Sequence, residues 1–553
     1  MSRPITLPDS LSVDPRLTIG SNKMVEIRKG AANTTVTRSS ATSVSASQIS
    51  FVPTLNNLST IIDPYVYVEI PLTVTVNAAN PIGPVAMQQY VQNFFAPRQY
   101  PLNSCINTAT VQINNVSVTS NPSQFVHQLA AFQPYDGKEG QALIQSLVPI
   151  QPDTSPQYAD SAGSLKSPLN WYFTGGEHYS ESRGSFVSNF VTIANTPSQW
   201  QFTYLLREPI MNPLLDYDPN KKREGLAYVN QMIINLTLAS NLSRMFSCDL
   251  VNCPNVASVN VSFNTASLVM TWLTAAQAQS LPPTVLKSFN NIIANQTVVP
   301  SMASGQQLTI QSQSWTMSQI PRKIWVYVAP STGSLDTPTG FGQSDYNFSI
   351  QQVSVLFNNK SSLMANMGPG DLYNACMASE GCIKSYTESQ NYWGSCLILD
   401  PALLFGLQDD EAPGVLGNYQ LQIQVQCTNI SQSTVATPVL YVVWAMENIM
   451  VTDSNANTTL SQGFVTQEDV VASNRLPARP ASFGEADIYG GSFFDTLKRA
   501  LGTVYNFAKD NRLVSKGLAS FPQTAPYAPI AEQLGFGRTS RQQMRRQYTS
   551  LRN

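Results

Sequence analysis

Apolar and polar residues alternate at a period of two in segment after segment of this chain. "YVYVEIPLTVTV" puts Val66, Val68, Ile70, Leu72, Val74 and Val76 on one side, as a half-buried strand requires. "TVQINNVSV" predicts two short strands, Val111/Ile113 and Val116/Val118, folded about Asn114-Asn115. "QMIINLTL" alternates through Met232, Ile234, Leu236 and Leu238, and "SVNVSF" and "LVMTW" follow, with Leu268, Met270 and Trp272 in step. A helix is predicted near "TAAQAQSLPPTVLKSFNN", and a second set of strands after it. There "RKIWVYVA" aligns Ile324, Val326 and Val328, and "QQVSVLF" aligns Val353, Val355 and Phe357. "NYQLQIQVQC" turns Tyr419, Leu421, Ile423, Val425 and Cys427 one way, while "PVLYVVWAM" is apolar on both faces, as a central strand would be.

Short strands between Pro, Gly and Asn loops predict an all-β sandwich architecture. The two sets, roughly 45–280 and 300–452, predict two sandwiches, with no residue-level repeat between them. The expected divisions are an extended arm over 1–45, a first sandwich over 46–285 and a second over 286–452. A polar linker over 453–491 and a distinct segment over 492–553 complete the chain. In that last segment the period changes. Phe494, Leu497, Leu501, Val504, Tyr505 and Ala508 recur at helical spacing, with Lys498, Arg499 and Lys509 off the stripe.

Charge sharpens this division. Only 12% of the 553 residues are charged and Pro numbers 36, the profile of a turn-rich β protein. Residues 492–553 nevertheless carry ten basic side chains against three acidic ones, while the rest of the chain is acidic by nine. Such asymmetry marks a tail with its own partner, or else a merely solvated one. "MSRPITLPDS" has no apolar run after a basic start, so no signal peptide is expected, and no apolar window is long enough for a membrane helix.

Candidate chemistry is sparse. Seven cysteines show no framework spacing; Cys248/Cys253 and Cys376/Cys382 lack metal-site spacing, so buried free thiols are expected. His127 and His178 sit in no catalytic motif, and Glu177 beside His178 reads as a polar loop. Asp216, Asp218 and Asn220 begin like a calcium loop but lack its later glycine and glutamate. Asp409, Asp410 and Glu411 read as a solvated turn, with a cation at a subunit contact as the lesser alternative. No phosphate loop and no cofactor motif is found, and the chain does not read as an enzyme.

An ordered series of stretches carries a family resemblance. "STIIDPYVYVEIPLTVTV" and "WQFTYLLREPIMNPLLDYDPNKKREGLAYVNQMIINLTL" come first, then "QSWTMSQIPRKIWVYV", "QQVSVLFNNKSSLMANMGPGDLY", "GSCLILD", "APGVLGNYQLQIQVQCTN" and "PVLYVVWAMEN". Over roughly 50–452 the chain resembles the double jelly-roll major capsid proteins of eukaryotic DNA viruses, the virophages, polinton-like viruses and adintoviruses. The resemblance implies two eight-stranded jelly rolls in tandem with a short helical tail. It also implies a homotrimer forming a pseudo-hexameric capsomer, penton and minor capsid proteins as further partners, and a place in an icosahedral virion. Synthesis would be in the host cytoplasm, with assembly there or in the nucleus.

Against that background "IYGGS", Ile488 to Ser492, resembles the cleavage motif of adenovirus-type maturation proteases, with Gly490 and Gly491 before the cut. Two glycines suit a narrow protease cleft that admits only extended backbone. Cleavage between Gly491 and Ser492 would release 492–553, which resembles the membrane-disrupting internal proteins of adenoviruses. Phe493, Phe494, Leu497, Leu501, Val504 and Tyr505 would form its interfacial helix. Arg538, Arg541, Arg545, Arg546 and Arg552 would meet packaged nucleic acid or an acidic inner capsid surface. The same stretch also reads as an ordinary linker with a docking helix. Two other functions fit an all-β chain: a single jelly-roll shell with a projecting domain, as in small RNA viruses, and a receptor-binding fibre or adhesin.

Overall fold

The computed structural model describes residues 33–55, 60–79, 95–98, 100–126, 128–129, 187–192, 199–215, 225–248, 256–274, 283–332, 336, 348–379, 386–391, 394–430, 438–463 and 465–474. Arg28–Gly463 form one compact unit, which holds nearly all of these residues. In its first half the strands are β1 (Asn33–Ser40), β2 (Ser43–Val44), β3 (Gln48–Phe51), β4 (Ile61–Ile62), β5 (Tyr67–Ala78), β6 (Phe95–Pro97) and β7 (Ile106–Ile113). They continue with β8 (Val116–Ser120), β9 (Val187–Thr192), β10 (Gln199–Pro209), β11 (Met232–Leu238), β12 (Phe246–Cys248), β13 (Val256–Ser262) and β14 (Ser267–Thr274). The second half has β15 (Thr284–Val298), β16 (Gln307–Gln311), β17 (Trp315–Gln319), β18 (Lys323–Pro330) and β19 (Phe348–Phe357). After these come β20 (Lys360–Leu363), β21 (Cys396–Leu399), β22 (Leu416–Asn429), β23 (Pro438–Asp453) and β24 (Thr458–Gln462).

Each half has a pair of antiparallel sheets over one core, and the first half adds a two-stranded antiparallel sheet of β6 and β12. The order β1-β14-β5-β10-β9, with β13 on β5 and β4 on β14, makes one sheet of the first half, and β2-β3-β11-β7-β8 makes the other. In the second half β15-β23-β18-β21, with β24 on β23, pairs off against β16-β22-β19-β20, with β17 on β22. Alternation decides which face is inside. Val66, Val68, Ile70, Leu72, Val74 and Val76 are all buried, and so are Leu421, Ile423, Val425 and Cys427 of β22. A one-residue slip in β22 would put Gln420, Gln422, Gln424 and Gln426 into the core, so the register is strongly specified. Strands β18 and β23 are buried on both faces, as the continuous apolar run of β23 requires.

Three expectations change. The predicted helix near 274–291 gives way to β15 from Thr284 onward, paired with β23 from Thr284↔Asp453 to Val298↔Val439. Fifteen consecutive sheet partners outweigh the weak helical preference of the alanine-rich stretch, whose residues 275–282 lie outside the described set. Part of the expected arm is sheet: β1 lies along β14 from Asn33↔Thr274 to Ser40↔Ser267. Its Ser/Thr-rich, largely exposed side chains suit an edge strand, which hides its backbone rather than its side chains. The linker expected over 453–491 contains β24 and a helix, Gln467–Asn474.

One glycine is fixed by geometry. Gly394 has φ +77°, and a Cβ there would lie 2.7 Å from the Phe348 carbonyl oxygen, which also accepts the Ser395 N–H at 2.7 Å. Gly394→Ala is expected to cost at least about 2 kcal/mol through the left-handed backbone and the displaced carbonyl. Chemical denaturation of the purified protein would measure it.

Candidate functional site: the joint between the two halves

Side chains cross between the halves, so the two cores are interlocked. Phe289 and Met450, from β15 and β23, are buried in the first core. Phe125 and Leu129, from the first half, are buried in the second core. Tyr327 stacks on Tyr441 with ring centroids 5.1 Å apart and donates its hydroxyl to the Gln124 carbonyl at 2.6 Å. Burial pushes the Tyr327 phenol well above its usual range and that of Tyr441 up to about 12, so both stay neutral.

Asn114 is the polar centre of this joint. It occupies the β7–β8 turn with φ +53°, a conformation that asparagine tolerates better than most residues. Its Nδ2 donates to the Tyr228 carbonyl (3.1 Å) and to Thr458 Oγ1 (2.8 Å), the latter in β24 of the second half. Its Oδ1 accepts the N–H groups of Asn230 (2.9 Å) and Gln231 (3.3 Å). Asn115 Oδ1 accepts the Thr458 N–H at 3.0 Å, and the hydroxyls of Thr452 and Thr458 meet at 3.2 Å. Every partner is fixed backbone or a buried hydroxyl, so these contacts define one arrangement of the halves rather than a sliding surface.

A second link is ionic. Arg244, almost fully buried, places Nη1 2.9 Å from Asp336 Oδ1. Beside it, burial raises the Cys105 thiol to about 12, against an opposing pull from Arg244, so this cysteine is an inert core residue. Cys376, Cys396 and Cys427 are likewise buried and unpaired by disulfides, as expected of free thiols.

A third cluster pins the end of β10. The Glu208 carboxylate accepts the Leu102 N–H (2.6 Å), the Asn103 N–H (3.0 Å) and Asn103 Nδ2 (2.8 Å). Its pKa rises to about 7 because burial penalises the charge more than these three bonds favour it. Asn212, fully buried, bridges β7 and β8 by donating to the Ala109 and Val118 carbonyls at 3.0 and 2.9 Å.

These groups tie loops and strands together; none converges on a reacting centre. No cluster of three metal-ligating side chains occurs among the described residues. The Asp409–Glu411 turn is pinned internally: Glu411 accepts the Gln408 N–H at 2.9 Å and pairs with Lys360 at 3.7 Å. His127, Glu177, His178, Asp216, Asp218, Asn220, Cys253 and Cys382 lie outside the described residues. So do Ile488, Gly490, Gly491 and Ser492, the aromatic and aliphatic helix positions Phe493 to Tyr505, and Arg538, Arg541, Arg545, Arg546 and Arg552.

Two antiparallel sandwiches in one chain, with side chains exchanged between their cores, form a β-rich architecture consistent with a tandem jelly-roll capsid fold. Comparison with known proteins gives the relationship. Residues 10–279 match the family model for the Sputnik virophage major capsid protein first domain, and 284–448 match that for the major capsid protein V20 C-terminal domain. The capsid protein V20 of Sputnik virophage is 27% identical over 94% of this chain and 91% of its own length. The cryo-EM structure of the Sputnik virophage contains a chain with the same fold, at TM-score 0.74 and 24% identity, covering 88% of this chain and 99% of that one. The mavirus major capsid protein follows at TM-score 0.64 and 15% identity, covering 86% and 100%. The chain is homologous to the Sputnik virophage major capsid protein V20, a double jelly-roll major capsid protein. It is a structural protein of the virion's icosahedral capsid shell.

Proposed function

We propose that three copies of this chain form a pseudo-hexameric capsomer, each half being a complete eight-stranded roll, and that these capsomers tile the shell. The observation that carries this reading is the joint through Asn114, Thr458 and Arg244. Two similar sandwiches held as one rigid body give six comparable lobes when tripled, whereas two loosely linked domains would not hold a hexagonal outline. A low-charge surface also suits close lateral contact, because few ions must be desolvated. Native mass spectrometry of the recombinant full chain should find a trimer, with a hexagonal outline by electron microscopy. A stable monomer or dimer at assembly concentrations would overturn the reading.

The tail completes the proposal. A viral maturation protease cuts between Gly491 and Ser492, and 492–553 then acts on a host membrane or on the inner capsid and its nucleic acid. Penton and minor capsid proteins are the other shell partners. The Gly-Gly pair and the net positive charge beyond it support this part. Peptide mapping of purified virions should end the shell protein at Gly491, and Gly491→Val should leave it intact to Asn553. Intact wild-type chains in infectious particles would exclude cleavage without touching the trimer.

A further inference from the structure

Strand β15 is the edge of its sheet. β23 lies along one side of it for all 15 residues, and among the described residues no strand lies along the other. Every other strand that ends a sheet has 8 residues or fewer. The register decides which backbone groups face the open side. Just beyond the two ends of β15, Ser454 donates its N–H to the Pro283 carbonyl at 2.9 Å and Val299 donates to the Pro438 carbonyl at 3.1 Å. Both pairs continue the register of β15 on β23, which has no shift between them. Opposed residues of an antiparallel pair alternate between bonded and unbonded. The odd-numbered residues of β15 therefore bond to β23. Leu286, Ser288, Asn290, Ile292, Ala294 and Gln296 turn their N–H and C=O groups outward.

An open edge of this length is ordinarily guarded by a proline, a lysine or a bulge, because it is a template for any extended chain. Residues 288–298 have none of these guards. Their sequence, "SFNNIIANQTV", has no charge, no proline and no glycine, and its pairing to β23 is unbroken. Ser288 and Gln296 are exposed, and Val298 is 75% exposed. Charge and number identify the occupant. A charged partner finds no counter-charge on this stretch. Copies of this chain have acidic bodies that repel one another, so they approach best where charge is absent. The capsid shell also holds those copies side by side.

We propose that the outward edge of β15 is a contact between copies of this chain in the shell, where an extended segment of a second copy adds its backbone to the sheet. This rests on self-association in the capsid but not on the number of copies in a capsomer.

The test is residue-resolved hydrogen–deuterium exchange on purified virions and on chains dissociated from them. The amides of Ser288, Asn290, Ile292, Ala294 and Gln296 should exchange at least about tenfold more slowly in the virion than in the dissociated chain. Those of Phe289, Asn291, Ile293 and Asn295 should be slow in both. Equal rates for the even-numbered amides in the two states would overturn the proposal, whether fast (an edge left open) or slow (an edge the chain covers itself). Gln296→Pro gives a second readout, because it blocks the outward edge and removes an N–H that the pairing with β23 does not use. It should keep the wild-type melting temperature and lower the yield of assembled particles at least about tenfold, whereas Asn295→Pro should destabilise the fold. A normal particle yield from Gln296→Pro would also overturn the proposal. A wild-type chain that is monomeric in solution would count against the trimer alone.

Discussion

Replacing Asn114 by alanine is expected to destabilise the protein by about 3 to 5 kcal/mol, a large share of the stability of an ordinary domain. Four hydrogen bonds disappear together, and the Tyr228 carbonyl, the Asn230 and Gln231 amides and Thr458 Oγ1 each lose a partner. Alanine also adopts φ +53° less readily than asparagine, at roughly 1 kcal/mol of that total. Asn114→Gly separates the two contributions, since it removes the bonds and relieves the backbone. Thr458→Val, alone and combined with Asn114→Ala, gives the coupling across the joint. We expect the double variant to be clearly less destabilised than the sum of the singles, as measured by urea denaturation followed through tryptophan emission.

The second large effect is a pH dependence located at Glu208. Its carboxyl titrates near 7 in the folded protein and near 4.5 in the unfolded chain, with burial as the leading cause. Between those values the unfolded state releases a proton that the folded state keeps, so stability falls as pH rises from about 4.5 to about 7. The stabilising share is complete below the unfolded value and lost above the folded one. A displacement of this size corresponds to about 3 kcal/mol. Glu208→Gln keeps the shape and one acceptor oxygen but turns an NH2 toward either the Leu102 or the Asn103 donors, a cost that does not depend on pH, and it removes the titration. Relative to wild type, its stability should therefore improve by about that amount between pH 4 and pH 8. Melting curves of both proteins across that interval would measure the difference; a constant offset would mean that Glu208 does not titrate there.

Much of the architecture was legible in the alternation, because a strand with one buried face must put its apolar residues at every second position. Val66 to Val76 and Tyr419 to Cys427 were readable for that reason, and the doubly buried "PVLYVVWAM" announced a central strand. Edges were harder. Strand β1 is rich in Ser and Thr and buries little, so only its partner β14 distinguishes it from a loose arm. The same holds for β24, whose membership depends on β23.

The joint was less readable still. Asn114 could be placed in a turn because Asn-Asn stood between two short alternating runs, but its reach to Thr458 spans 344 positions. Among so many amide side chains, nothing local separates Asn114, Asn103 or Asn212 from the solvated ones. Arg244 shows why charge is equally uninformative: in the chain it stands in a polar "NLSRM", and only the approach of Asp336 from the other half makes burial tolerable. Glu208 stands in "LLREPIMNP" with nothing local to mark it, because its function as a cap for the 101–105 turn depends on a contact 106 residues away.

The exchange of Phe289, Met450, Phe125 and Leu129 between the two cores has a consequence for biosynthesis. On the ribosome the amino-terminal sandwich cannot close completely until β23 has emerged, since one of its own interior residues is still untranslated. Nascent chains that terminate early therefore expose an unfilled hydrophobic gap, a natural target for chaperones and proteases. A chain that stops before β23 thus leaves both cores unfinished, whereas one that extends past it holds every buried residue the two cores share.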